Sequence, residues 1–224
     1  MHLPLQRHGC AHPVQKGFTL LEIAIVLVII GLLLGGVLKG QELIVQARIK
    51  NIIGDLNGLS AAIYTYQDRH RALPGDERNA AVSARWNGVT GGDGNGVICG
   101  AYNGAAGGAA CNGEIESTLI WQHLRQTGLI TGAAGRDIPT NAAGGLIGIQ
   151  SGAFGFAGHV LCASNLPAKI AAAIDAQLDD GNPRAGSVRG TQQSAPNPAA
   201  SASQPADTAY QDDGSQIYLV CKQI

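Results

Sequence analysis

The 224-residue chain is nearly neutral, with 15 basic and 16 acidic side chains and a formal net charge of −1. This balance provides no overall attraction to nucleic acid or to anionic lipid, so no specific nucleic-acid partner is expected. The length is sufficient for one medium domain plus further segments, but it is too short for a large multidomain enzyme. With 32 glycines and only 4% aromatic residues, the chain predicts extensive loops and a small core.

The first distinctive element is an apolar segment at residues 18–38, in which Glu22 is the one ionisable side chain. A transmembrane helix needs about 20 apolar residues, so this segment predicts a single membrane-spanning helix. In an ordinary secretory signal the cleavage site follows the apolar region, whereas here the small residue Gly17 precedes it. The apolar helix would therefore remain in the processed chain.

Residues 16–22 read KGFTLLE, which resembles the prepilin peptidase site of type IV pilins and type II secretion pseudopilins. The resemblance implies that residues 1–17 are a leader peptide and that cleavage occurs between Gly17 and Phe18. In that family a membrane aspartyl peptidase cuts on the cytoplasmic side and methylates the new amine, which here would be that of Phe18. Basic residues flank both ends of the apolar segment, so their distribution does not decide its orientation in the membrane. The expected orientation therefore comes from the resemblance.

Glu22 needs a partner, because a carboxylate within an apolar membrane helix costs about 2.5 to 3.5 kcal/mol. Cleavage would create a cationic amine at Phe18, and a subunit displaced along a filament could bring that amine to Glu22. We therefore interpret Glu22 as an assembly residue. The alternative is an interfacial glutamate whose carboxylate reaches out to the membrane surface.

After the membrane segment, apolar residues recur at alternating steps of four and three residues, which is the period of an α-helix. The spacing predicts that residues 39–72 continue the helix as an amphipathic segment, with one stripe covering a sheet. A coiled coil is the alternative, but the repeat stops at residues 73–76, LPGD, where proline and glycine end helices. The stripe consists of Val45, Ile49, Ile52, Leu56, Leu59, Ile63 and Tyr66.

Residues 73–224 are expected to form a globular domain outside the cytoplasm. Within it, residues 190–213 are rich in Gln, Ser, Ala and Pro, which predicts a flexible loop. Together with the resemblance, the elements favour an α+β pilin fold, a long N-terminal helix packed on a small antiparallel sheet. Apolar spacing predicts helices at 114–127 and 167–178 and strands at 145–150, 153–163 and 216–222.

Of the five cysteines, Cys10 lies in the predicted leader and four remain in the mature chain. Four cysteines allow three pairings, and each disulfide stabilises an exported domain by about 2 to 4 kcal/mol. We favour a bond between Cys99 and Cys111, which closes a local glycine-rich loop. The other favoured bond, between Cys162 and Cys221, joins the C-terminal strand to an interior strand. Four free thiols are the alternative.

The glycine-rich segment at residues 91–96, GGDGNG, is the one candidate metal site. Asp93 and Asn95 offer oxygen ligands of the kind that calcium takes, and some pseudopilins bind calcium in a loop. The match to a calcium-binding loop is poor, because Val97 occupies a ligand position and no glutamate follows at the required spacing. A simple glycine turn is therefore favoured, and no cofactor is expected other than this weak calcium candidate.

Catalytic motifs are missing from the sequence. It contains no P-loop, no His-Glu-x-x-His and no Gly-x-Ser-x-Gly. The histidines of the mature chain, His70, His123 and His159, stand alone in the sequence, so structural roles are favoured for them. We predict that the protein is not an enzyme.

The resemblance implies a structural subunit of a type IV pilus or pilus-like filament that polymerises through its N-terminal helix. Expected partners are other pilin subunits, in a homopolymer or heteropolymer, the prepilin peptidase and methyltransferase, an inner-membrane assembly platform, and membrane lipid before assembly. The subunit would cross the inner membrane once, with a periplasmic C-terminal domain, and then enter an extracellular or periplasmic filament. The alternatives are a pseudopilin of a type II secretion system and, in a different class, a monomeric membrane-anchored periplasmic binding protein.

Overall fold

The computed structural model describes residues 17–224, which fall into two compact units divided between Ile44 and Val45. The first 16 residues of the predicted leader, with Cys10, lie outside the described residues. The helices are α1 Leu20–His70, α2 Asn79–Arg85, α3 Glu116–Gln126 and α4 Ala168–Leu178, and the strands are β1 Ile147–Ser151, β2 His159–Pro167, β3 Val188–Gln192 and β4 Ile217–Gln223.

In the first unit, the described chain consists mainly of an apolar helix, the part of α1 up to Ile44. All of its large apolar side chains from Phe18 to Ile44 are exposed, and no residue in its most apolar stretch is buried. By length and composition α1 could cross a membrane, and it is the one such helix in residues 17–224. Because such a large apolar surface is not stable in water, this unit indicates membrane anchoring.

In the second unit, the remainder of α1 is amphipathic, as its apolar spacing predicts. Asp55 and Tyr64 lie on the exposed side of this segment. The helix ends at His70, and Arg71 then adopts a left-handed φ of 56° before the LPGD segment. The buried stripe consists of Ile49, Ile52, Leu56, Leu59, Ile63 and Tyr66.

The four strands form one antiparallel sheet in the order β1-β2-β4-β3. This sheet, together with the long helix, confirms the predicted α+β class. Residues along β2 and β4 alternate between two cores, as the two-residue period of a strand requires. Leu161 and Val220 belong to the core that contains the buried stripe of α1 and apolar residues of α3 and α4, whereas Cys162 and Leu219 belong to a second core on the other face.

Irregular loops cover this second face of the sheet. Tyr102 comes from the glycine-rich loop before α3, Phe154 and Phe156 from the β1–β2 connection, and Ala200 from the long segment after β3. Arg189 packs its guanidinium over the Phe156 ring at 4.0 Å and donates to the Phe154 carbonyl. Both faces of the sheet are therefore buried, although regular elements cover only one of them.

Two short elements differ from the sequence predictions. The helix α2 lies in a Gly-, Asn- and Ala-rich stretch that carried no helical period, and β3 includes residues 190–192, which the sequence placed in the flexible loop. The segment without regular secondary structure therefore begins at residue 193. The predicted helices at 114–127 and 167–178 correspond to α3 and α4, and the strands predicted at 145–150 and 216–222 correspond to β1 and β4. The strand predicted at 153–163 overlaps β2 only from His159, because residues 153–158 form the irregular β1–β2 connection.

The outer edge of β3 is closed by hydrogen bonds from neighbouring loops. Its three outward N–H groups each find an acceptor, so the edge presents no free donor for a further strand. These bonds run from Val188 to Oδ2 of Asp179 (3.0 Å), from Gly190 to the carbonyl of Pro183 (2.9 Å) and from Gln192 to Oδ2 of Asp207 (2.9 Å).

Candidate functional site

The predicted cleavage junction lies in accessible chain immediately before α1. Gly17 and Phe18 have no regular secondary structure, and 84% of the Phe18 surface is exposed. Lys16, the remaining residue of the predicted junction, lies outside the described residues. A peptidase that requires an irregular, exposed substrate segment could reach the peptide bond between Gly17 and Phe18.

Thr19 and Glu22 form a reciprocal cap at the start of α1. Oγ1 of Thr19 accepts a hydrogen bond from the Glu22 N–H at 3.2 Å. In return, Oε2 of Glu22 accepts bonds from the Thr19 N–H and hydroxyl, both at 2.8 Å. This is the capping box of a Thr-x-x-Glu sequence, which satisfies backbone donors that a helix start otherwise leaves unpaired.

The cap uses one oxygen of the Glu22 carboxylate and leaves the other available. Within residues 17–224, Oε1 of Glu22 makes no hydrogen bond, and both oxygens lie at the positive end of the helix dipole. The sequence interpretation assigned Glu22 a role between subunits and missed its role within the chain. The spacing of Thr19 and Glu22 could have indicated the cap, because Thr-x-x-Glu before an apolar run is a helix-start signal.

Comparison with protein families identifies this N-terminal segment. Residues 13–38 match the family model described as the prokaryotic N-terminal methylation motif, the signature of type IV pilins and pseudopilins. The chain has a pilin-type N-terminus. The resemblance carried by KGFTLLE is thereby confirmed, and the pilin-type motif suggests a structural protein that assembles with other pilin subunits. No curated protein matches the chain.

The structure joins the four cysteines of residues 17–224 in two disulfides, the two pairs favoured from the sequence. Cys99 bonds to Cys111 across a loop of 12 positions, and Cys162 bonds to Cys221 over 59 positions. Cys162 and Cys221 face one another directly on β2 and β4, and both are fully buried in the second core. The longer disulfide therefore fastens the two central strands of the sheet.

The glycine-rich turn is wrapped around two buried carboxylates, Asp76 and Glu116, which the sequence analysis did not identify. Gly92 packs so closely that an added Cβ would clash with Oε1 of Glu116, so glycine is required there. Each of the four carboxylate oxygens accepts a backbone N–H: those of Asp76 from Asn95 (2.9 Å) and Gly96 (3.0 Å), and those of Glu116 from Asp93 (3.0 Å) and Cys99 (3.0 Å).

Together with Asp93, these two carboxylates form one of the two acidic groups in residues 17–224 that could hold a metal ion; the other consists of Asp175, Asp179 and Asp180. One oxygen from each of Asp76, Asp93 and Glu116 lies within 4.8 Å of the others, and such oxygens suit a hard cation such as Ca²⁺. The carboxamide of Asn95, the other calcium candidate, is engaged in its own turn, donating to Asp93 and accepting the Val97 N–H. Burial raises the pKa of Asp76 and of Glu116. The backbone hydrogen bonds to Asp76 and Glu116 are sufficient to explain the cluster as an anchor of the glycine-rich turn.

Two histidines of the second unit, His123 and His159, are held by contacts within the fold. His123 is buried, with Nδ1 accepting the Gly75 N–H and Nε2 facing the Thr90 carbonyl, both at 2.9 Å. Nδ1 of His159 lies 2.8 Å from Oγ of Ser151, but that Oγ already accepts a backbone N–H and is buried. Among the described residues, no acidic side chain hydrogen-bonds to His159, so the pair lacks the third group that orients a catalytic histidine.

Proposed function

We propose that this chain is a structural subunit of a type IV pilus or pilus-like filament. It is made with a leader that prepilin peptidase removes between Gly17 and Phe18, and it polymerises through its N-terminal helix. The observation that carries the proposal is the coincidence, in one segment, of the methylation motif at residues 13–38 with a wholly exposed apolar helix.

The geometry of the helix start supports a charge pair between subunits. Cleavage frees the Phe18 nitrogen as an ammonium group, one residue before the capping residue Thr19, and the methyltransferase then methylates it. Because Oε1 of Glu22 makes no hydrogen bond within residues 17–224, it can accept that ammonium group from a neighbouring copy. The ammonium group and the carboxylate compensate one another's charge in an apolar environment, where either charge alone is costly.

The location and partners of the subunit follow from the same features. Before assembly, the apolar part of α1 is embedded in inner-membrane lipid and the second unit, tied by two disulfides, occupies the oxidising periplasm. An assembly platform then transfers the subunit into a filament, where helices of other pilin subunits replace the lipid. Apolar contact is maintained throughout, so no exposed apolar helix is left in water.

Mass spectrometry of the N-terminus tests the proposal directly. We expect the mature chain isolated from membranes to begin with N-methylated Phe18. Replacing Gly17 by leucine should block cleavage and leave the leader attached, with membrane insertion unchanged. An intact Met1 in the native chain, or a cut beyond residue 38, would show instead a membrane-anchored protein outside the prepilin pathway.

The abundance of the chain in sheared extracellular filaments separates the filament types. A chain that dominates the sheared material is the main subunit of a pilus, and one present in traces is a minor subunit. Its restriction to the periplasm, with processed Phe18, would identify a secretion pseudopilin.

A further inference from the structure

The chain contains five Asn–Gly pairs, the sequence most prone to conversion of asparagine into aspartate or isoaspartate. In this reaction the glycine backbone nitrogen loses its proton and attacks Cγ of asparagine. A new N–Cγ bond forms, the Cγ–Nδ2 bond breaks, and the amide leaves as ammonia. Water then opens the cyclic imide. Glycine favours the attack because it has no side chain to hinder it, and a hydrogen bond that holds the glycine N–H opposes it.

Three of the five pairs hold the attacking nitrogen in a hydrogen bond. Gly58 lies inside α1, where its N–H belongs to the helix ladder. The N–H of Gly96 donates to Oδ2 of Asp76 at 3.0 Å, and the N–H of Gly104 donates to the Ala101 carbonyl at 2.9 Å.

The asparagine side chains of these three pairs are held as well. Oδ1 of Asn57 accepts a bond from Lys222 at 2.8 Å. Asn95 accepts the Val97 N–H, and Asn103 donates to the Asn197 carbonyl at 2.9 Å. In each pair, both the attacking and the attacked groups must break contacts before they can react.

The remaining two pairs are free to react. Among residues 17–224, neither Gly88 nor Gly113 has an acceptor for its N–H, and both pairs are exposed. Asn87 makes no side-chain hydrogen bond within the same range. Asn112 makes one long bond, from Nδ2 to Oδ2 of Asp93 at 3.3 Å.

We propose that Asn87–Gly88 and Asn112–Gly113 are selective sites of spontaneous modification, with water as the only co-reactant, and that Asn87 reacts faster than Asn112. Conversion of Asn112 has a local consequence. It replaces an amide that donates to Asp93 by a carboxylate that repels it, which adds negative charge beside the glycine-rich turn. The subunit thus acquires new surface charge with age, independently of any enzyme.

The test is peptide mapping by mass spectrometry of the full purified chain in detergent, incubated at mildly alkaline pH with its disulfides intact. Each Asn–Gly pair is followed through the mass increase of its amide-to-acid conversion and by detection of isoaspartate. We expect Asn87 and Asn112 to convert roughly tenfold faster than the other three, because each protecting hydrogen bond must break before attack. Equal rates at all five pairs, or fastest conversion at Asn95, would overturn the proposal.

Two controls attribute the selectivity to the fold. In the reduced chain in denaturant, the five rates should converge, since every glycine nitrogen is then free. Asp76→Ala removes the acceptor of the Gly96 N–H, so Asn95 should accelerate in that variant while Asn87 stays unchanged. Persistence of the native order of rates in the denatured chain would show that local sequence, and not the fold, sets the selectivity.

Discussion

Glu22 uses its two carboxylate oxygens differently. Oε2 completes the capping box with Thr19, and Oε1 has no bonding partner within residues 17–224. If a variant without the Glu22 side chain failed to assemble, the cause would therefore be ambiguous, because such a variant loses both the cap and the charge. Separating these roles needs substitutions that remove one and keep the other.

Glu22→Gln keeps an acceptor for the cap but removes the charge. We expect it to lower filament incorporation roughly ten- to a hundredfold, because a charge-assisted hydrogen bond is worth about 1.5 to 3 kcal/mol. Thr19→Ala is the complementary variant, because it removes the cap and leaves the charge of Glu22 in place. It should cost about 0.5 to 2 kcal/mol of helix stability. Quantifying sheared filaments against membrane-bound subunit measures both.

A matched control is Glu42→Gln, on the same helix and beyond the motif at residues 13–38. Glu42 pairs with Lys39 at 2.8 Å on an exposed face, so its neutralisation should leave incorporation nearly unchanged. If Glu22→Gln assembles as well as Glu42→Gln, the charge pair between subunits is excluded and Glu22 is a capping residue.

His123 gives the second unit a pH-dependent contact. The Thr90 carbonyl can only accept a hydrogen bond and the Gly75 N–H can only donate one, so the buried ring is neutral with its proton on Nε2. Burial lowers the pKa of His123 below its ordinary value. Protonating Nδ1 in the folded chain would leave the Gly75 N–H without an acceptor.

We predict that the second unit loses stability as pH falls below about 6.5, the ordinary histidine pKa. There the unfolded chain binds a proton that the folded chain does not, so each such histidine contributes a slope of up to about 1.4 kcal/mol per pH unit. His123→Gln should flatten the dependence, since glutamine can supply an acceptor and a donor without titrating. Thermal unfolding across a pH series measures it.

Some slope should remain in His123→Gln, because burial also lowers the pKa of His70 and His159. Identical slopes in the variant and the native chain would show that His123 does not titrate in this range.

At the scale of elements, the sequence predicted the helices and strands whose buried residues recur with a helical or strand period. The buried stripe of α1, the helices α3 and α4 and the strands β1, β2 and β4 all combine apolar spacing with turn residues. The strand β3, VRGTQ, has one large apolar residue, Val188, and is defined by pairing with β4 and by acceptors from distant loops. Nothing local in its sequence indicates a strand, so a local reading assigned part of it to a loop.

The candidate sites follow the same division. The junction at Gly17, Phe18 and Glu22 is contiguous in the sequence and could be recognised there. Asp76 and Glu116 meet only because the fold brings two distant segments to one glycine-rich turn. Such long-range pairs leave no spacing pattern, which is why the sequence drew attention to Asp93 and Asn95 in the turn and not to its buried anchors.

Asp207 closes the edge of β3, and its removal should open that edge. Oδ2 of Asp207 accepts both the Gln192 N–H and the Thr191 hydroxyl at 2.9 Å. We expect Asp207→Ala to lower the unfolding free energy by about 1 to 2 kcal/mol. It should also increase self-association, because an unpaired N–H at the sheet edge can donate a hydrogen bond to a strand of another molecule.

Asp207→Asn provides the comparison, since its side-chain oxygen can still accept a hydrogen bond. It should therefore remain close to the native chain in thermal stability and in light scattering. Equal self-association of the two variants would trace the effect to lost charge, and no effect in either would show that other contacts protect the edge.

At the scale of the whole molecule, the two disulfides should contribute unequally to stability. Chain-entropy arguments give about 3 kcal/mol for the bond between Cys99 and Cys111, whose sequence separation is 12, and about 4 kcal/mol for that between Cys162 and Cys221, whose separation is 59. Replacing Cys162 and Cys221 by alanine should therefore lower the thermal midpoint further than replacing Cys99 and Cys111.

The order of reduction gives an independent measurement. Cys162 and Cys221 are both fully buried, whereas Cys111 is partly exposed. Mild reduction followed by alkylation should label Cys99 and Cys111 first. Labelling of all four at the same rate would mean that the sheet opens before either bond is reduced.

In the proposed charge pair, the two oxygens of Glu22 would have separate partners, which would make assembly compatible with reversal. If an incoming ammonium group binds Oε1, the bonds from Oε2 to Thr19 need not exchange. A subunit that leaves a filament would then return to the bilayer with the start of its helix still folded. Retraction and renewed use of the same subunit would require no refolding step at this end of the chain.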